Sequence, residues 1–133
     1  MASFKIKDAA RLLGVSDDTV RRWIDAGTLA VAFDESHRRV VDGRALAELA
    51  RSMATQIPDP SEVGRSARNR FVGLVTRIES DKVMSQVELQ CGPFRVVSLL
   101  STEAVRDLGL ELGSVAVAVV KATNVIVEIP SNS

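Results

Sequence analysis

A change in the spacing of apolar residues across residues 55–66 constrains the fold of this chain more than any other feature. Before this segment, apolar residues recur at intervals of three and four, which is typical of helices that bury one face. After it, they alternate or form short β-branched runs, which is typical of strands. The segment itself, TQIPDPSEVGRS, holds two prolines and a glycine. We therefore predict a fairly extended linker at residues 55–64 between domains at residues 1–54 and 65–130.

Charge is balanced in the whole chain and in each half of it. The 133 residues carry 17 Lys and Arg against 17 Asp and Glu, and residues 1–60 and 61–133 are each neutral. Binding to nucleic acid would therefore depend on a local basic patch and not on a general basic field. Two domains of this small size would each have a small core, which favours homo-oligomers.

Cysteine, histidine and hydropathy argue against several classes of protein. A single cysteine, Cys91, and a single histidine, His37, allow no internal disulfide and are too few for a zinc site built on these ligands. No apolar run reaches the roughly 18 residues that span a membrane, and the N-terminus lacks the apolar core of a signal peptide. We expect a soluble, cytoplasmic protein with no membrane partner and no bound metal, and we place Cys91 on a strand face and not in a redox sensor.

The N-terminal segment predicts three helices and a hairpin. The stretch KDAARLLG forms the first helix and stops at Gly14, and Ser16 is a favourable cap for the second helix, whose first turn is acidic. The runs LAVAF and RRVV flank a polar bend and predict a hairpin, and a third helix starts from Asp42. Trp23 shares the apolar face of the second helix, so we assign it to the core.

The C-terminal segment predicts five strands and one short helix. The strands are RFVGLVTRIES, MSQVELQC, FRVVSLL, SVAVAVVK and NVIVEI, and the helix STEAVRDLG precedes the fourth strand. This order is typical of a small, partly closed barrel of the OB type. The chain is therefore predicted to be an α+β protein of two domains. A mainly helical, winged helix-turn-helix domain comes first and a five-stranded OB-like β-barrel follows.

The stretches AARLLGVS, TVRRWIDAGTL and HRRV resemble the helix-turn-helix of the MerR superfamily, especially its small excisionase-like branch. The resemblance covers roughly residues 4–51. It implies that the second helix enters the major groove of double-stranded DNA and that the hairpin, as a wing, meets the backbone. The wing departs from the family at Asp34 and Glu35, because two acids at its tip would be repelled by phosphates. The candidate DNA contacts are Ser16, Thr19, Arg21, Arg22, His37, Arg38 and Arg39.

The stretch GRSARNRF, residues 64–71, contains three arginines and no acid. By itself it fits nucleic-acid contact, a solvated linker or a small-anion site. Taken with LGLELG and KATNV downstream, it resembles the molybdate-binding Mop domain, one form of the TOBE module, over about residues 65–130. A tetrahedral oxyanion with two negative charges favours backbone N–H groups, hydroxyls and a cation, with no carboxylate nearby.

The Mop resemblance implies a molybdate site shared between two chains of a homo-oligomer, a dimer or larger, for which tungstate should compete. One chain would supply the Ser66 and Thr123 hydroxyls, the Lys121 charge and backbone N–H groups, and the other would supply Ser101 at a helix start. Ala104 stands where many relatives have a second serine, so one donor is missing. The predicted anion-binding residues are Ser66, Ala67, Arg68, Asn69, Ser101, Lys121, Ala122 and Thr123.

The two resemblances together predict a molybdate-responsive, DNA-binding transcriptional regulator. Two alternatives stay open. One is a molybdate storage or buffering protein whose N-terminal domain serves assembly, and the other is a DNA-bending accessory protein whose barrel only oligomerises. The arginines of the second helix and hairpin argue against the first, and Lys121 with Ser66 and Ser101 argues against the second. No nucleophile-base pair or paired carboxylates stand out, so we do not expect an enzyme.

Overall fold

The structure is a computed structural model of the chain, and it describes residues 2–54, 58, 60 and 69–130. The chain divides into two compact units, Met1–Gln56 and Ile57–Ser133. Each unit has a hydrophobic core of its own. The predicted linker lies largely outside the described residues.

The first unit contains three helices and a three-stranded sheet. Its elements in chain order are β1 (Ser3–Lys5), α1 (Ile6–Leu13), α2 (Asp17–Asp25), β2 (Val31–Phe33), β3 (Arg39–Asp42) and α3 (Gly43–Met53). The sheet has the order β1-β3-β2, and both pairs are antiparallel. The three predicted helices and the hairpin are confirmed. Strand β1 is not predicted from the sequence, because three residues are too few to show a periodicity.

Local sequence signals determine where the helices of the first unit begin and end. Helix α1 stops at Gly14, whose φ of 69° lies in the left-handed region that favours glycine. Ser16 then caps α2 by accepting a hydrogen bond from the Thr19 N–H at 3.1 Å. Asp42 caps α3 by accepting one from the Ala45 N–H at 3.0 Å. The short connection between α1 and α2 is therefore specified by residues in and next to the turn.

The core of the first unit is built from all three helices, β3 and the turn after α2. Its buried members are Ala9, Ala10, Val20, Leu29, Val41 and Leu46. Trp23 is partly buried and packs against this cluster, which confirms its assignment to the core. Strand β1 adds Phe4 to the cluster, and the residue before β1 anchors α3, since the Gly43 N–H donates to the Ala2 carbonyl at 2.8 Å.

Over its described residues, the second unit is an antiparallel sheet of four strands with one short helix. Its elements are β4 (Asn69–Ser80), β5 (Met84–Cys91), β6 (Phe94–Ser101), α4 (Thr102–Leu108), β7 (Val115–Val120) and a 3-10 turn (Ala122–Asn124). The strand order is β6-β5-β4-β7. Strand β4 pairs with β7 along its first half and with β5 along its second half. A register shift between Val75 and Arg77, just past the changeover, is the kind of bulge that bends a strand.

The structure corrects the prediction of a fifth strand. Four of the five predicted strands are present, but the NVIVEI stretch forms no strand pair within the described residues. Ile126 and Val127 are each 85% exposed and Ile129 is 91% exposed. Apolar alternation alone does not make a strand, because its N–H and C=O groups also need a neighbouring strand. In the part of the chain that the structure describes, the sheet is therefore open along the outer edges of β6 and β7 and is not a closed barrel.

The contact between β4 and β5 depends on a glycine. The buried core of this unit comprises Val75, Val87, Leu89, Cys91 and Val105. The Cys91 thiol donates to the Phe71 carbonyl at 3.7 Å, and burial raises its pKa, which fits a strand-face residue better than a redox sensor. A Cβ at Gly73 would lie 2.6 Å from both the Cys91 Sγ and the Gln90 carbonyl oxygen. Position 73 is therefore restricted to glycine by its neighbours.

We expect Gly73→Ala to lower the free energy of unfolding by about 1–3 kcal/mol, because the added methyl group overlaps the β5 backbone. Urea unfolding followed by circular dichroism would measure this loss. Gly92→Asn is the matched control. Gly92 has a φ of 61° with open space around a Cβ, and asparagine tolerates this conformation. Equal losses in the two variants would contradict the steric explanation.

Two carboxylates of the second unit are held in their charged form. The Asp81 carboxylate accepts hydrogen bonds from the Met84 and Val83 N–H groups at 2.8 and 2.7 Å, and these bonds lower its pKa. Glu88 is paired with Arg95, and the hydrogen bond from that guanidinium lowers the pKa of Glu88. A group with a lower pKa in the folded state stabilises the fold above its unfolded pKa and loses this effect as the pH falls.

We therefore expect the Tm to fall as the pH drops from about 5 to about 2, with part of the fall caused by protonation of Glu88. Glu88→Gln should flatten the decline, because glutamine does not titrate. Calorimetry at a series of pH values would measure it. Asp107→Asn, at an exposed position on α4, serves as the control and should keep the wild-type slope. A Glu88→Gln slope as steep as the wild type would refute this role for Glu88.

Candidate functional site

The solvent face of α2 carries charged side chains that include two predicted DNA contacts. Val20 is fully buried on one side of the helix, with Trp23 and Ile24 packed beside it. The opposite side exposes Asp18, Arg21, Arg22 and Asp25. This spacing of three, four and seven residues is that of a single helix face. Because α2 directly follows the tight turn after α1, it occupies the position of the second helix in a helix-turn-helix.

Three polar side chains are linked along one edge of α2. The Ser16 Oγ accepts the Thr19 N–H and also lies 2.9 Å from the Thr19 Oγ1, within hydrogen-bond distance. The Thr19 Oγ1 in turn accepts a hydrogen bond from the Arg22 Nη2 at 3.1 Å. The structure therefore brings together three of the predicted DNA contacts in one connected row.

The other predicted arginines are paired with acids. Arg21 Nη1 lies 3.0 Å from Asp18 Oδ1 on the same helix. Arg39 Nη1 lies 3.7 Å from Asp25 Oδ1, which joins the hairpin to the end of α2. Arg38 Nε lies 3.3 Å from Asp34 Oδ2. Arg38 and Arg39 thus form ion pairs with different aspartates, as expected for adjacent strand residues whose side chains point to opposite sides.

Asp34 organises the bend of the hairpin. Its Oδ1 accepts hydrogen bonds from the Ser36 and Arg38 N–H groups at 2.8 and 2.9 Å, and its pKa is lowered, first by the bond from the Arg38 N–H. His37 adopts a φ of 59° to complete the turn. The sequence interpretation of Asp34 as a repulsive acid missed this structural role. The signal was present, since an aspartate followed two residues later by a free N–H is typical of an Asx turn.

One end of the second unit brings together Asn69, Lys121, Ala122 and Thr123. Asn69 begins β4 and is in register with Val120, and its Nδ2 donates to the Val120 carbonyl at 3.2 Å. The chain then turns through the 3-10 segment, in which the Asn124 N–H donates to the Lys121 carbonyl at 2.9 Å. Lys121 and Thr123 are exposed, so both are accessible to a ligand. Ser66, Ala67 and Arg68 lie outside the described residues.

Ser101 lies at the other end of the sheet. It pairs with Met84 at the start of β5, beside the end of β4, and caps α4 by accepting the Ala104 N–H at 3.0 Å. The twelve residues of β4 separate this end from Asn69, a path of roughly 35–40 Å along the strand. Within one chain the structure therefore does not bring Ser101 to the Asn69 and Lys121 cluster.

A row of hydroxyls that the sequence analysis missed holds Thr102, the residue next to Ser101. Thr102 Oγ1 donates to the Asp81 carbonyl at 2.8 Å, so Ser85 Oγ, 2.8 Å away and buried, must donate to Thr102. Ser80 Oγ then donates to Ser85 at 2.7 Å, because each hydroxyl carries one proton. No local sequence signal identifies these partners, since Ser85 and Thr102 are 17 residues apart.

An apolar groove of about 510 Å³ opens between the strands of the second unit. Most of its lining is aliphatic and comes from β5, β6, β7 and the segment around α4: Val87, Leu89, Val96, Leu100, Leu108, Leu110 and Val115–Val120. No group of three metal-ligating side chains occurs among the residues that the structure describes. Within the same residues, no helix is both long enough and apolar enough to cross a membrane.

Comparison with known families assigns a domain to each end of the chain. Residues 3–54 match a helix-turn-helix domain and residues 65–127 match the TOBE domain. The probable molybdenum-pterin-binding protein of Haemophilus influenzae is 43% identical over 63 residues, which are 47% of this chain and 91% of that protein. The molybdenum transport protein ModE of Herbaspirillum seropedicae is 34% identical over 83 residues, 62% of this chain but 28% of ModE.

Among solved structures, the cytoplasmic molybdate-binding protein ModG with molybdate bound is similar to this chain. The two share 41% sequence identity with a TM-score of 0.51, over 54% of this chain and 52% of ModG. The chain thus matches about half of the ModG structure and less than a third of ModE.

Proposed function

This chain belongs to the TOBE-domain family through residues 65–127 and carries a helix-turn-helix domain at residues 3–54, and from this we propose that it is a molybdate-responsive, DNA-binding transcriptional regulator. The observation that carries the proposal is the union of the two domains in one chain. The similarity to ModE, which is called a molybdenum transport protein, supports the molybdenum-related half of the proposal.

The DNA-binding half of the proposal rests on the exposed face of α2. A recognition helix of the MerR or excisionase-like kind would place Ser16, Thr19, Arg21 and Arg22 against the major groove of double-stranded DNA. The hairpin would place His37, Arg38 or Arg39 near a phosphate. The ion pair between Arg38 and Asp34 reduces the charge repulsion that an unpaired acid in the hairpin would cause.

The molybdate-binding half rests on donors from two stretches of sequence, GRSARNRF and KATNV, that contain no acid. Asn69, Lys121, Ala122 and Thr123 lie together at the β7 end of the sheet, and we assign Ser66, Ala67 and Arg68 to the same cluster. Ser101 of a second copy would complete the site, since it lies at the far end of its own sheet. Lys121 would supply charge, and hydroxyl and N–H groups would bind the oxyanion oxygens. Tungstate, with the same shape and charge, should compete.

Homo-oligomer formation is supported by apolar surface that a single copy leaves exposed. Among its described residues, the second unit carries an apolar tail at residues 125–129, an apolar groove and open outer edges on β6 and β7. Unpaired edges and exposed aliphatic side chains favour association. We propose that the tail of one copy closes the groove of another in a dimer or larger assembly. Molybdate held between two copies would then restrict how the helix-turn-helix domains of the two copies are oriented. It would thereby set the spacing of the two half-sites that they bind on DNA.

The anion site is tested by substitutions at both of its halves. We expect Lys121→Ala to weaken molybdate binding by roughly 10- to 100-fold, the usual effect of losing a charged hydrogen-bond donor. Ser101→Asp should abolish binding, because aspartate keeps the helix cap but brings a carboxylate to the oxyanion. Calorimetric titration with molybdate, and with tungstate in competition, would measure both effects.

Two control variants test whether any loss of molybdate binding is specific to the substituted group. Ser101→Asn preserves the cap without adding charge and should bind more tightly than Ser101→Asp. Lys7→Ala removes an exposed lysine of α1 and should bind like the wild type. Wild-type affinity in both Lys121→Ala and Ser101→Asp would refute the assigned site.

DNA binding is tested by selection of sequences from a pool of random duplexes by the full chain, with and without molybdate. We expect one sequence family to be enriched and Arg22→Ala to lower affinity for it by at least tenfold while molybdate binding is unchanged. Arg51→Ala, at an exposed position on α3, is the control and should bind as the wild type does. Molybdate binding without any enriched sequence would favour a storage or buffering protein.

A further inference from the structure

The contacts of Arg22 differ from those of Arg21, Arg38 and Arg39, the other arginines that are predicted to contact DNA. We propose that Arg22 is the guanidinium that reads a guanine in the bound DNA and that Thr19 is the residue that positions it. The inference rests on the proposed DNA-binding function and deepens it. It names the base that Arg22 would recognise and the side chain that would position Arg22. It is carried by the row Ser16, Thr19 and Arg22 and by the acids that engage the other arginines.

Three of the four arginines that are predicted to contact DNA lie in ion pairs with aspartates. Asp18 pairs with Arg21, Asp25 with Arg39 and Asp34 with Arg38, at N–O distances of 3.0, 3.7 and 3.3 Å. Within the described residues, Arg22 has no carboxylate within the 4.0 Å of a salt bridge and bonds to a neutral hydroxyl. Its positive charge is therefore the least compensated of the four. A guanine edge, with O6 and N7 both acceptors, binds best to a guanidinium that no acid already holds.

The hydroxyl of Thr19 directs the Arg22 side chain. Thr19 lies one helical turn before Arg22, so the hydrogen bond draws the guanidinium back toward the N-terminus of α2. That end of a recognition helix is the one that meets base edges. Ser16 holds the Thr19 hydroxyl in turn, at 2.9 Å. The row thus anchors a long, flexible side chain to the helix cap.

Arg22 keeps enough donors for base recognition. A guanidinium has five N–H donors, and the bond to Thr19 engages one of them. The remaining donors still include a pair that can reach both guanine O6 and N7. Restricting the rotamers of arginine before binding lowers the entropy lost on binding, which is the advantage of a positioned reader over a free one.

The experiment compares variants of the full chain on the duplex enriched from the random pool and on a scrambled duplex. Thr19→Val has the same shape without the hydroxyl, and the helix cap through the Thr19 N–H is retained. We expect Thr19→Val to weaken binding to the enriched duplex about 3- to 10-fold and to leave binding to the scrambled duplex and the salt dependence unchanged. Thr19→Ser should restore most of the affinity. Thr28→Val, in the exposed turn after α2, is the matched control and should have no effect.

A second measurement changes the DNA and leaves the protein intact. Replacing each guanine of the enriched duplex in turn by 7-deazaguanine removes N7. At one position the wild type should lose roughly tenfold in affinity, while Arg22→Ala loses nothing further and Thr19→Val loses clearly less than the wild type. Such coupling would not arise from a general loss of stability.

Three results would overturn the inference. Thr19→Val could bind the enriched duplex as well as the wild type does, or lose affinity equally for both duplexes. Alternatively, no guanine position could couple to Arg22. If the wild type enriches no sequence at all, the proposed DNA-binding function fails together with the inference.

Discussion

The antiparallel pairing of β4 with two different strands is the constraint on which the second unit depends. Its first half pairs with β7 and its second half with β5, and Gly73 allows the β5 backbone to approach at the changeover. This pairing places Asn69 and Lys121 at one end of the sheet and Ser101 at the other. An oxyanion site that uses all three must therefore draw them from two copies. The geometry of one strand thus links the proposed ligand site to the proposed assembly.

The first unit shows how a chain of zero net charge can still leave one arginine of α2 without an acid partner among the described residues. Three of the acids in this unit, Asp18, Asp25 and Asp34, each form an ion pair with one arginine. Surface ion pairs of this kind add little stability. They do distinguish Arg22, because an acid engages each of the other three arginines that are predicted to contact DNA. Arg22, held by a hydroxyl, is the one that the proposed reading of DNA requires.

Elements whose signals lie within one turn or one strand could be predicted from the sequence. The caps Ser16 and Asp42, the stop at Gly14 and the period of apolar residues identified α1–α3, the hairpin and β4–β7, because these signals act over a few residues. Strand β1 was missed because its only support is the pairing with β3. The hydroxyl row behind Ser101 was missed because its partners are distant in sequence. The acid partners of Arg21 and Arg38, by contrast, lie three and four residues away and were within reach of a local reading.

The sequence by itself determined the two domains, their order and the kind of residue at each candidate site, since family motifs and periodicity are properties of the chain alone. Only the tertiary structure decided which of those residues meet. It placed Ser101 apart from Lys121, and it gave residues 125–130 no strand partner among the residues that it describes. The physical reason is that a periodic pattern states which side chains share a face, while hydrogen bonding between strands requires a specific free edge. That edge is set by the pairing of the whole sheet.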